Sequence, residues 1–238
     1  MFEGRLMDFA VVFRRCGIRR GIVMRFILVF AVCLSFLAES AESEDLDKAF
    51  NAVHGKDYTA AYQLFLEAAE AGNAEAQCNL GILIRSGQGT EKNPAQALKW
   101  FEKSAAQGWA DAQYQLGNMY EFGESVPQSY QNAAAMYTKA AEQGHASAQT
   151  NLAVLYANGQ GVNQDIVLAY VWSNLAASQG IVEALQNREM VAQEMSAEML
   201  KRVREISRDY FQKYVAPFQS AQSRRLVGQP PEAPPMHQ

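Results

Sequence analysis

Residues 110–123 read Ala-Asp-Ala-Gln-Tyr-Gln-Leu-Gly-Asn-Met-Tyr-Glu-Phe-Gly, and their framework recurs 36 residues to either side. Ala110, Ala112, Gln113, Leu116 and Gly123 match Ala74, Ala76, Gln77, Leu80 and Gly87 upstream, and Ala146, Ala148, Gln149, Leu152 and Gly159 downstream. The register also holds at Ala97, Ala133 and Ala169, at Ala105, Ala141 and Ala177, and at Gly108, Gly144 and Gly180. A fixed period of this size implies stacked units, each burying its apolar face only against its neighbours.

Within a unit, Ala76, Leu80, Leu83 and Ile84 follow the three-and-four rhythm of an amphipathic helix, as do Ala112, Leu116, Met119 and Tyr120. This helix A is expected to end at Gly87, Gly123 and Gly159, where a left-handed residue closes the last turn. A loop follows, and Pro94 suits the first turn of a helix B running from about Pro94 to Gln107. Ala97, Trp100, Phe101, Ser104 and Ala105 are its expected inward positions. Ser125 stands where the other loops carry Gly89 and Gly161, so the loop over residues 124–129 is expected to take a different shape.

The repeat fades at both ends. Ala61, Leu64, Ala69 and Gly72 lie 36 residues before Ala97, Trp100, Ala105 and Gly108, preceded by a diverged helix A at Leu46 to His54. Ile181 to Glu194 takes the next helix A position and keeps only Ala184 of the pattern. A last helix, Ala197 to about Tyr214, sets Leu200, Val203, Ile206 and Tyr210 in one stripe against Lys201, Arg202, Arg204, Glu205, Arg208 and Asp209. Such a polar-backed helix suits the cap that a solenoid needs. From Ala216 the chain is rich in Pro, Gln and Ser and reads as a disordered tail. The expected organisation is therefore a leader over residues 1–40, a solenoid with its cap over 41–215, and a tail over 216–238.

The 238 residues, 49% hydrophobic and 19% charged, suffice for one such domain. Of 21 basic and 25 acidic residues, six arginines and three acids fall in the first forty, which leaves −7 for the remainder. That acidity argues against nucleic acid as a partner. The apolar run from Phe26 to Ala38 follows Arg25 and ends at Ala38-Glu39-Ser40, resembling a secretory signal peptide that starts at Met24 and is cleaved after Ser40. The run is too short to span a bilayer easily, since a span needs about 20 apolar residues, so no stable membrane span is expected in the mature chain. Periplasmic or secreted localisation follows as the expectation, with a cytosolic scaffold as the alternative if the leader is inactive. Cys16 and Cys33 would leave with the leader, so Cys78 would remain without a disulfide partner.

The pattern Ala-x-Ala-Gln-x-x-Leu-Gly-x-x-Tyr at Ala110 to Tyr120, with Ala-x-x-Trp and Ala-Ala-x-x-Gly within Ala169 to Gly180, resembles the Sel-one-like repeat, a relative of the tetratricopeptide repeat. The resemblance spans about Ala49 to Gly180. It implies an all-α fold, a right-handed α-solenoid of antiparallel helix pairs, here with a C-terminal capping helix, and it implies an adaptor role in signalling, envelope or secretion-related assemblies. Some secreted bacterial members bind cell-wall fragments or β-lactams, but those resemble a branch with paired cysteines in each repeat, which Cys78 does not match.

No catalytic constellation, cofactor motif or metal-ligand spacing is evident. His54 lies beside a turn, His145 holds the inter-repeat position of Trp109, and His237 is in the tail. Gly87-Gln-Gly89 lacks the Gly-Lys-Ser/Thr of a phosphate loop. Candidate binding residues are instead the helix A positions that vary between repeats: Glu75, Cys78, Ile82, Arg85 and Ser86; Asp111, Tyr114, Asn118, Glu121 and Phe122; Ser147, Thr150, Val154 and Asn158. In tetratricopeptide-like stacks such positions line the concave wall. Tyr114 and Phe122 bracket Asn118 on one face, an arrangement that suits either an anchor for an extended peptide or filling between repeats. The reading is a non-enzymatic, exported interaction module for a protein or peptide, the alternative being an envelope protein that binds or hydrolyses cell-wall fragments or β-lactams.

Overall fold

The computed structural model describes residues 45–218; the proposed leader, and the tail from residue 219, lie outside the described residues. The chain divides into a leading unit, Met1–Asp47, and a repeat unit from Lys48 onward. Ten helices occur among the described residues, and no strand. A first helix, α1, covers residues 45–54. It is followed by α2 (Tyr58–Glu70), α3 (Ala74–Ser86), α4 (Pro94–Ala106), α5 (Ala110–Phe122), α6 (Tyr130–Ala141), α7 (Ala146–Asn158), α8 (Ile166–Ser178), α9 (Val182–Gln193) and α10 (Ala197–Tyr214). From α2 to α9 each helix packs on the next in antiparallel pairs, which makes the repeat unit an all-α solenoid. The diverged first unit keeps the same logic, because Phe50 of α1 meets Phe65 of α2 edge-on at 5.3 Å.

Local chemistry repeats with the helices. Asp57, Asn93, Ser129 and Asp165, spaced 36 apart, cap the N-termini of α2, α4, α6 and α8 by accepting a backbone N–H from the first turn. Such a cap stabilises a helix by about 1 kcal/mol relative to alanine. Helices α3, α5 and α7 end at Gly87, Gly123 and Gly159, with φ of 74°, 69° and 66°. Between the helices runs a ladder of glutamine amides, buried on helix A and half-buried or exposed at the end of helix B. Gln107, Gln143 and Gln179 each donate from Nε2 to the Oε1 of Gln77, Gln113 and Gln149, at 2.8 Å in all three repeats. Gln77 and Gln149 pass the bond on to Ala69 O and Ala141 O of the preceding helix B.

Close approach of helices A and B depends on paired sizes. A Cβ on Gly81 would lie 2.6 Å from the Phe101 ring, and one on Gly117 would lie 2.4 Å from the Tyr137 ring. Both rings are fully buried. In the third repeat Ala153 replaces the glycine, and Ser173 takes the place of the aromatic ring; both are buried. The chain thus exchanges both members of the contact together.

Three expectations change. The loop after Gly123 keeps the family shape, because Ser125 adopts the left-handed φ of 62° that Gly89 (73°) and Gly161 (69°) adopt. The same loop bonds form: Glu124 N–H to Met119 O and Ser129 N–H to Tyr120 O match their counterparts in the neighbouring loops. Trp100 is only half-buried, with Lys103 Nζ 3.9 Å above its ring. Its counterpart Trp172 is buried because α10 lies on α8, placing Tyr210 and Tyr214 each 5.5 Å from that indole. Helix α8 is apolar on this face as well, with Leu168, Val171 and Leu175 where the uncovered α4 carries Gln96, Lys99 and Lys103. The tail begins later than its composition implies: Ala216–Phe218 forms a 3₁₀ turn, and the Phe218 ring sits against Gly144. The eight charged residues of α10 are exposed, as its stripe predicts.

Two substitutions of opposite sign test these contacts. Gly117→Ala should lower stability by about 1–2 kcal/mol in urea denaturation, since overpacking of a buried ring outweighs alanine's better helix propensity. A net gain would show that the ring yields. Ser125→Gly should raise stability by about 0.5–1 kcal/mol by relieving the positive φ, and an unchanged midpoint would remove the strain argument.

Candidate functional site

The variable positions of helix A separate into an inner and an outer set. Cys78 (0% exposed), Asp111 (3%) and Thr150 (5%) are buried and do not form part of a binding wall. Each A helix packs against a helix on both sides along the chain, so its apolar stripe understates the buried arc. Burial, assisted by Asp111 and Glu75, pushes the Cys78 thiol well above its ordinary pKa, which suits packing rather than reactivity. Thr150 returns its hydroxyl to Ala146 O at 3.0 Å. Glu75 and Ser147, at the first turns of α3 and α7, are half-buried.

Asp111 has a structural task. His145 accepts the Ala148 N–H at Nδ1 (3.1 Å), so its proton lies on Nε2 and is donated to Asp111 Oδ1 at 3.0 Å. One imidazole therefore caps α7 and ties it to α5. Tyr114 stacks on the same imidazole at 4.6 Å and approaches Tyr137 at 6.0 Å. It fills the gap between repeats and is not a free anchor. Asn118 and Glu121 are likewise engaged: the Tyr137 hydroxyl lies 2.5 Å from Glu121 Oε2, to which it donates, and 2.7 Å from Asn118 Oδ1. Burial, reinforced by Glu121, raises the Tyr137 pKa, so the phenol stays protonated and holds the wall rigid. Asn151 of α7 donates to Asn118 at 3.4 Å, continuing the polar link to the next repeat.

What remains accessible is an outer band. Phe122 is 71% exposed at the end of α5. Ser86 and Asn158 are exposed, Ile82, Arg85 and Val154 half-buried. Ile82, Arg85 and Ser86 line a hollow of about 380 Å³ between α3 and α5, together with Lys92, Gln115 and Glu124. Arg85 crosses that hollow: its Nε donates to Glu124 Oε2 at 2.8 Å, its Nη1 to Gln115 Oε1 at 2.9 Å, and its Nη2 also reaches Glu124. Lys92, Gln115 and Glu124 are absent from the sequence-based set. Gln115 was within reach, since it lies three residues before Asn118 and seven before Phe122, on the same helical face. Lys92 and Glu124 belong to loops, whose side-chain directions a helical register does not give.

Among the described residues no group of His, Cys, Asp and Glu is arranged to hold a metal ion, and no helix is long and apolar enough to cross a membrane. The accessible features of this band are one exposed aromatic side chain, Phe122, and a hollow whose polar floor is fixed by Arg85.

Comparison with known proteins agrees with this architecture. A solved protein from uropathogenic Escherichia coli strains, described as a protective antigen displaying an SLR fold, is similar at 31% identity with a TM-score of 0.66, over 83% of this chain and 45% of its own. The chain thus spans less than half the length of that relative. A Sel1 repeat protein from Oxalobacter formigenes is 34% identical with a TM-score of 0.50, over 52% of this chain and 94% of its own. No curated protein matches the sequence. The model of the Sel1 repeat matches four successive segments, residues 54–73, 74–109, 110–145 and 146–181. With more than half of its residues inside those four segments, the last three of which each coincide with one helix pair, the chain belongs to the Sel1 repeat family.

Proposed function

We propose that this protein is an exported, non-enzymatic adaptor that holds an extended segment of a partner protein along the outer band of its A helices. Sel1 repeat proteins are protein-interaction modules, and the family is generally a non-enzymatic scaffold. The observation that carries the finer reading is Phe122, 71% exposed in a helix whose other large apolar residues are packed or half-buried. An aromatic ring on the same face of α5 as Gln115, whose hollow has a preset Arg85–Glu124–Gln115 floor, offers one apolar anchor and several polar contacts to a partner backbone. Asn158 and Val154 extend the band onto α7. Export rests on the signal-like leader, and the relative described as a protective antigen supports it.

Crosslinking in the native host with wild type and with Ile82→Ala plus Phe122→Ala tests the surface. Loss of a central aromatic anchor should weaken capture by about tenfold or more, while the circular dichroism melt of the variant stays close to wild type. An unchanged partner set would rule out this band. Mass measurement of the native N-terminus tests export: a start near Ala41 is expected, and a start at Met1 or Met24 would remove the inference.

A further inference from the structure

A second hollow, of about 450 Å³, opens where α8, α9 and α10 meet. Its size suits a small ligand. Tyr170, Ala192 and Leu200 give it an apolar floor, and Asn174, Arg188 and Arg204 supply most of its polar rim, with Glu189 beside them. Arg188 is held in place by donating from Nη1 to Asn174 Oδ1 at 3.0 Å, which leaves most of its five N–H donors available. Among the described residues no carboxylate pairs with either arginine.

The repeat shows how unusual this cleft is. The positions of Tyr170 and Asn174 hold Leu98 and Glu102 in α4, and Ala134 and Thr138 in α6. In α2 the same positions hold Tyr62 and Leu66, so the tyrosine has a precedent, but the pairing of a tyrosine with an amide at these two positions occurs only where α9 and α10 bring two guanidinium groups alongside. We infer that this cleft binds a carboxylate attached next to an apolar side chain, the chemistry of a peptide C-terminus. Two arginines less Glu189 give the rim one net positive charge, which balances a carboxylate and leaves a phosphate dianion in excess. Guanidinium groups pair with carboxylates through parallel N–H donors, and the floor of Tyr170, Ala192 and Leu200 receives the adjoining side chain. The cleft shares no residue with the Ile82–Phe122 band, so it stands or falls independently of it.

Calorimetric titration of the full chain with N-acetyl-leucine, N-acetyl-leucinamide and inorganic phosphate tests the assignment. N-acetyl-leucine should bind saturably with a Kd of about 1–10 mM, the amide about tenfold or more weakly, and phosphate more weakly than N-acetyl-leucine. Arg204→Gln, on an exposed position of α10, should weaken N-acetyl-leucine binding at least about fivefold with an unchanged melt, and Arg85→Gln should leave it unaltered. Arg188→Gln should act as Arg204→Gln does, checked by its melt because the Asn174 bond is lost. Equal binding of acid and amide, tighter binding of phosphate, full affinity in Arg204→Gln, or no saturable binding up to about 50 mM would each overturn the proposal.

Discussion

A carboxamide buried between helices must find its partner or cost roughly 1–3 kcal/mol, and three times in this chain the partner is another carboxamide thirty residues further on. Gln77, Gln113 and Gln149 are 5%, 5% and 0% exposed, whereas Gln107 is exposed and Gln143 and Gln179 are half-buried, so each bond reaches from the outer end of helix B to an amide held inside the stack. The bond closes only if helix A, its loop and helix B together present the second glutamine at the right height. Each intervening segment is therefore held to a fixed length. Apolar packing alone would tolerate slippage along a helix; a directional bond onto a buried amide does not. The constant period is the visible trace of that restriction, and the loops, caps and glycine turns are arranged around it.

Size complementarity adds a second restriction within each pair. Gly81 and Gly117 let a ring press against the backbone of helix A, and the third pair substitutes both members at once, Ala153 with Ser173. The third unit is then free to develop differently. Its helix B is apolar on the side that faces solvent elsewhere, and α10 occupies that side through an aromatic cluster of Trp172, Tyr210 and Tyr214.

The helix pairs, their turns and the apolar stripe of α10 were legible because periodic alanines, leucines and glycines report backbone geometry directly. The candidate site was only half legible. Ile82, Arg85 and Phe122 were placed on an accessible face, whereas Cys78, Asp111 and Thr150 face inward, because one sequence records the polarity of a side chain and not the number of neighbours around its helix. Tyr114 illustrates the point: an aromatic residue at a variable position looks like an anchor until His145, in the next repeat, is found stacked on it. Ser125 errs in the other direction. A non-glycine residue suggested a changed loop, yet the hydrogen bonds on either side of it enforce the left-handed turn.

Helix α10 turns aside onto α8 and, with the 3₁₀ turn after it, reaches back as far as Gly144, so the last described helix is fastened along the flank of the last two repeats as well as to α9. Val182, Leu185 and Met190 of α9 are left open to solvent there. Helices α5 to α10 thereby pack into one block of the described residues, indifferent to how many units precede it. Whole 36-residue units could be gained or lost upstream without disturbing that block, making the length of the stack, and with it the reach of the protein, an evolutionary variable decoupled from the packing of α10.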